Sequence, residues 1–315
     1  MVEKQSEFMM KKRKKLTLIN SILIFLCIVC CLSILFLYMN QSQKTGFAIF
    51  DKINKTVTQK NQKKQKVVLK ESKPQSKTGK EVQWIKKDQP VKLPILMYHA
   101  VHKMAPEEAA NANLIVDPTL FEQQIKALKE AGYYFLSPEE AYRLLSSNEV
   151  PAEKSVWLTF DDSMIDFYKI AFPILKKYQA KATNNVITGL TENHSTANLS
   201  VDQMKEMKKF GMSFQDHTVN HPDLSQSDPE AQLREMKDSM LYLNQELNQE
   251  TIAIAYPSGR YSDTTLSIAK DLHYKLGLTT NEGLASAADG LLSLNRVRIL
   301  PSTSAETLLS QIATN

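Results

Sequence analysis

Two aspartates, Asp161 and Asp162, follow the apolar run Trp157–Phe160, and two histidines, His217 and His221, stand four residues apart. Adjacent carboxylates left unpaired in an apolar setting are costly, so a cation or a shared proton is expected beside them. Neighbouring side chains on a straight strand point to opposite faces, so both aspartates reach one site only where the strand ends. If the stretch from His217 to His221 turns helically, the two imidazoles lie on one face within reach of one ion. Two imidazoles and a carboxylate can hold a metal with a position left open, where a water is activated or a carbonyl polarised. A third place is IAYPSGRY, where Pro257 and Gly259 force a tight loop directly after a strand and can present backbone N–H groups to an oxyanion. Each place also has a plainer reading: an Asp pair that caps the next segment, two loop histidines, and a simple turn.

These residues need elements to carry them. Short apolar runs alternate with amphipathic stretches, the pattern of an α/β fold with mostly parallel strands. The strands are expected within 93–101, 155–160, 181–187, 212–217, 252–256, 275–280 and 294–300. Helices are expected over 118–132, 137–147, 171–179, 200–211, 228–247 and 262–272, with Ser200 and Ser262 as N-caps and Gly211 as a stop. Asp161, the histidines and the Pro-x-Gly loop all fall at strand C-terminal ends, where strand-helix barrels carry their functional loops.

The chain has 315 residues, 43% of them hydrophobic, and a net charge of +5 that is unevenly spread. Residues 1–15 carry +4 and residues 40–90 carry +9, which leaves −8 for 91–315, the wrong sign for a nucleic-acid-binding domain. Residues 16–39 contain no charge and are long enough to cross a hydrocarbon core. With KKRKK at 11–15 ahead of them, they read as a single transmembrane anchor that leaves the N-terminus in the cytoplasm and the rest outside the cell. A cleaved signal peptide is the alternative, but no small-x-small site follows. Residues 40–90 then read as a Lys-rich flexible tether and 91–315 as the extracellular domain. Cys27, Cys30 and Cys31 all lie in the apolar span, so the exported domain folds without disulfides and without thiolate chemistry.

Taken together, TFDD at 159–162, HTVNHP at 217–222 and YPSG at 256–259 resemble the polysaccharide deacetylase family in order and spacing, over about residues 93–300. The resemblance implies a distorted (β/α) barrel, a divalent metal (zinc before cobalt, nickel, manganese or iron) and hydrolysis of acetyl groups on a polysaccharide. It assigns Asp161 as general base, Asp162, His217 and His221 as metal ligands, and Tyr256, Pro257, Ser258 and Gly259 as the loop lining the acetyl pocket. LPILMYHAV, which places His99 at the end of the first strand, is most similar to the branch that acts on poly-N-acetylglucosamine, and His99 is expected to border the site. The expected substrate is therefore an N-acetylglucosamine-containing surface polysaccharide, with a peptidoglycan deacetylase or a weakened carbohydrate-binding module as alternatives. Four departures stand out: Ser163 follows the Asp pair where Gly is common, Ala255 stands where many members carry Arg, the family's late Trp/Asp motif is not recognisable, and no His occurs after His273 to act as general acid. Arg296 or Arg298, on the last strand, is the candidate replacement for the missing arginine, unless both face outward.

Overall fold

The structure, a computed structural model, describes residues 82–314. The basic tail, the apolar span 16–39 and most of the Lys-rich segment lie outside the described residues. Among the described residues no helix is long and apolar enough to cross a membrane.

Each of the seven apolar runs contributes one strand to a closed parallel sheet. The strands are β1 (Ile95–Tyr98), β2 (Ser155–Phe160), β3 (Ala182–Val186), β4 (Met212–Asp216), β5 (Ala253–Ala255), β6 (Leu276–Glu282) and β7 (Leu294–Arg298). Each lies beside its neighbour in sequence, and β7 returns beside β1 to close the barrel. Closure leaves these strands without free edges, and helical crossovers suit parallel pairing. The barrel is distorted at two places: β4 and β5 share the single ladder pair Ile254↔Asp216, and the β6–β7 register shifts between Leu278 and Glu282.

Among the described residues eight α-helices complete the fold: α1 (Pro118–Glu130), α2 (Pro138–Ser147), α3 (Phe172–Lys177), α4 (Thr188–Glu192), α5 (Val201–Lys208), α6 (Pro229–Leu247), α7 (Asp263–Asp271) and α8 (Ala305–Gln311). Ser200 and Ser262 cap α5 and α7 as expected, each accepting from a backbone N–H three residues on, and Gly211 turns the chain after α5 at φ +90°. Such caps are worth about 1 kcal/mol each. The short α4 and α8 were not among the expected helices, because five or seven residues give too little periodicity to register.

Alternation along the strands separates the chemistry from the packing. Val156, Leu158 and Phe160 face outward into one large core with Phe121, Ile125 and Leu128 of α1 and Phe214 of β4. Trp157, Ala253, Ala255, Leu276 and Leu278 belong to a second core with Leu144 and Leu145 of α2. Trp157 donates from its indole to Thr183 Oγ1 at 2.7 Å, which sets β2 and β3 in phase inside the barrel. That phase carries Thr159 and Asp161, Asn185, and His217 toward the same interior.

The chain is already structured within the segment expected to be tether. Ile85–Lys86 pairs antiparallel with Glu149–Val150, Trp84 lies under the Arg143 guanidinium at 4.3 Å, and Asn148 fastens the following residues. The Asn148 carboxamide accepts from Val91 N–H at 2.8 Å and donates to the carbonyls of Lys87 and Gln89. High Lys content made 82–90 look solvated, but the short ladder, the bonds to Asn148 and one aromatic ring dock it.

Candidate active site

At Asp161 the strand β2 has ended, and at Asp162 the backbone turns to φ 75°, followed by Ser163 at φ 53°. That turn brings Asp162 round to the side of the barrel where alternation already placed Asp161. Asn198 holds the turn from outside, donating to Asp162 O at 3.0 Å.

His217 follows β4, and Thr218 and His221 both take positive φ, 66° and 59°. The expected helical turn between the histidines is therefore replaced by a left-handed loop. Thr218 Oγ1 accepts the His221 N–H at 3.0 Å, and the imidazoles meet edge to face with centroids 4.8 Å apart. The Nε2 atoms of His217 and His221 lie 3.4 and 3.7 Å from Asp162 Oδ1. These separations are long for hydrogen bonds, but they fit ligands about 2.0–2.2 Å from one tetrahedral ion, which sit about 3.4 Å apart. His217 Nδ1 lies 2.7 Å from the Ala255 carbonyl, which only accepts, so Nδ1 carries the proton and Nε2 keeps its lone pair for an ion. The three side chains are a donor set that fits a divalent metal.

Asp161 and Arg296 form a buried pair beside this trio. The guanidinium donates to both carboxylate oxygens, NH2 to Oδ2 at 2.7 Å and NH1 to Oδ1 at 3.0 Å, and Nε donates to Thr279 O. Burial would raise the Asp161 carboxyl, but Arg296, then His217, then His99 pull it well below the usual carboxylate range. The alternative of outward-facing arginines fails for Arg296, which is 0% exposed. Arg298 is half-buried, and its backbone N–H lies near Glu282. Sequence reasoning missed Asn185, whose Nδ2 donates to Asp161 Oδ1 at 2.7 Å. The signal was the run Thr183, Asn184 and Asn185, three polar residues in a strand that is buried throughout. It also missed Asp216, which is fully buried and pushed up to about 7 by that burial against the hydrogen bonds it accepts.

His99, half-buried after β1, stands under the charges of Asp161, Asp162, Arg296 and His217, and burial lowers its ring below the ordinary histidine value. The loop after β1 is tied to the loop after β2: Asp166 Oδ2 accepts from Val101 N–H at 2.7 Å and lies 2.9 Å from His102 Nδ1.

The expected pocket loop divides. Ser258 is exposed at φ 52°, and Gly259 takes φ 68° against Thr280. The Tyr256 ring does not enter the site: its phase on the strand turns it outward among Leu224, Met236 and Ile254, where its hydroxyl donates to Leu292 O at 2.9 Å. What Tyr256 and Pro257 give the loop is main chain. A Cβ on Gly259 would stand 2.1 Å from Thr280 Oγ1 and 2.5 Å from its N, so Gly259→Ala must displace the loop. A displacement of about 1 Å at a reacting centre costs about a hundredfold in rate, and Gly259→Ala is expected to lose about that much activity.

The sequence profile described as polysaccharide deacetylase matches residues 148–277, a span that holds the Asp pair, both histidines and the Pro-x-Gly loop. The YxkH protein of Bacillus subtilis, whose name assigns it to the polysaccharide deacetylases, is 41% identical over 221 residues, which cover 70% of this chain and 76% of that protein. The chain belongs to the polysaccharide deacetylase family. Among solved structures, this deacetylase matches the Streptococcus pyogenes deacetylase PplD in complex with acetate at 72% identity and a TM-score of 0.70, over 72% of this chain and 100% of the other. The Staphylococcus aureus poly-β-1,6-N-acetyl-D-glucosamine N-deacetylase is 33% identical over 182 residues, 54% of this chain and 62% of that enzyme.

Proposed function

We propose that this polysaccharide deacetylase hydrolyses N-acetyl groups on N-acetylglucosamine residues of a cell-surface polysaccharide, with a divalent metal at Asp162, His217 and His221. The observation that carries this reading is the convergence of those three ligand atoms, all within 4.8 Å of one another, beside the ionised, Arg296-held Asp161. A divalent ion at such a site acidifies a water and polarises a carbonyl.

The chain's own residues supply the rest. Asp161 accepts the water proton on a carboxylate that Arg296 and Asn185 hold in one orientation. The Ser258 main-chain N–H serves the developing oxyanion, since the Gly259 N–H already donates to the Tyr256 carbonyl at 2.8 Å. His99 is the candidate donor to the leaving amine; burial lowers its pKa, which makes the protonated ring a stronger acid but a less populated one. Acetate in the similar streptococcal enzyme and poly-N-acetylglucosamine in the name of the staphylococcal one support the acetyl group and the sugar. Arg296 weakens the binding-module alternative, since it brings a guanidinium to Asp161 despite Ala255. On this reading the apolar span 16–39 keeps the enzyme at the outer face of the cell membrane.

The test is acetate release from poly-N-acetylglucosamine and from peptidoglycan before and after chelation. Activity is expected to vanish on metal removal and return with zinc or cobalt. Undiminished release by metal-free protein would overturn the metal assignment, and release from neither polymer would overturn the substrate class.

A further inference from the structure

We propose that Asp216 is a positioning residue for the metal centre, holding the His217–His221 loop in its ligating shape from behind the barrel. The inference rests on the metal reading above.

Thr218 is the reason such a device is needed. It is β-branched yet sits at φ 66°, a conformation that costs about 1–3 kcal/mol and persists only where surroundings impose it. It cannot relax without moving His221, because its hydroxyl accepts the His221 N–H. Two sets of bonds fix it. From the front, its carbonyl accepts from Thr188 N–H at 3.1 Å, and the next carbonyl, of Val219, accepts from Gly189 N–H at 2.9 Å. From behind, Asp216 Oδ1 accepts the Thr218 N–H at 2.6 Å.

Asp216 is itself locked to two other elements. Ser239, midway along α6, donates to the same Oδ1 at 2.9 Å, and the Tyr274 hydroxyl, ahead of β6, bonds Oδ2. Tyr274 also lies 3.0 Å from the Met236 carbonyl on α6. Strand alternation points Asp216 away from the site, into the layer with Met236 and Tyr274, while His217 points inward. Packing alone would favour an apolar side chain in that layer, since burying a carboxyl is costly. What the carboxyl provides, and a leucine would not, is an acceptor for a backbone N–H two residues on.

An asparagine has the same shape. Its Oδ1 can accept from Thr218 and Ser239, and its amide can face the Tyr274 oxygen, which then donates to Met236. The proposal therefore separates the isosteric variant from the truncated one. In the full chain, Co²⁺ binding followed by its visible absorption and Zn²⁺ binding by competition with a chromophoric chelator are measured for Asp216→Asn and Asp216→Ala. Asp216→Ala is expected to bind both ions about 10- to 100-fold more weakly, the range for losing a group behind a ligand, with an altered Co²⁺ spectrum. Asp216→Asn is expected to stay near wild type in both. Equal affinity and spectrum for wild type and Asp216→Ala would overturn this inference alone. A wild-type chain that holds neither ion would overturn the metal reading and this inference with it. Should Asp216→Ala fail to fold, Ser239→Ala and Tyr274→Phe decide the question: weaker ion binding in either supports the proposal, and unchanged binding in both overturns it.

Discussion

Arg296→Leu is expected to lower the melting temperature by about 10 °C and to abolish turnover. The guanidinium is fully buried, and its partner's side chain is only 4% exposed. Removing one member of a buried pair leaves an uncompensated charge and costs about 3–5 kcal/mol, and a domain of this size loses about 2–4 °C per kcal/mol. The pH dependence gives the sign. With Arg296 present, the Asp161 carboxyl is depressed, so its contribution to stability is present above the unfolded value of about 4 and fades as pH falls below it. Without Arg296, burial raises that carboxyl, and the penalty for ionising it disappears on acidification. The gap in melting temperature between wild type and variant should therefore shrink as pH falls from 7 to about 4. Calorimetry across that range checks it, and a gap that stays constant would mean that Asp161 is not the group left unpaired.

The second large effect separates chemistry from metal binding. Asp161→Asn is expected to lose about 10²–10⁴ in kcat while retaining its metal, because Asp161 lies outside the ligand trio. His217→Ala, by contrast, is expected to lose the metal itself, since it removes the most buried ligand. Metal content by elemental analysis beside acetate release tells the two apart. Full turnover in Asp161→Asn would remove that residue from the role of base. Some loss of stability is expected too, as the amide leaves Arg296 with a weaker partner.

The strands and most helices were legible because their signals are local: apolar runs of strand length, serine caps, and Gly211 as a stop. The convergence of Asp162, His217 and His221 was legible for a different reason, the order and spacing of three short motifs. What the sequence hid was set by phase and by long-range pairing. His217 and His221 meet through a left-handed loop at Thr218, which no propensity rule expects of a β-branched residue. The Arg296–Asp161 bond joins residues 135 apart, and it became visible only once β7 was seen to close beside β1 and β1 beside β2. Tyr256 was placed in the pocket by its motif, yet strand alternation turns its ring the other way. Asn185 and Asp216 stayed hidden because a polar residue within or at the end of a strand has many ordinary explanations.

Residues 84–91 dock onto Asn148 and Glu149–Val150 at the end of the barrel where the parallel strands begin. The chain enters at the start of β1, and Asp161, Asp162 and His217 sit at the opposite ends of the parallel strands. A substrate that reaches Asp161, Asp162 and His217 therefore approaches from the far side of the barrel, clear of the seam that residues 84–91 close around Asn148.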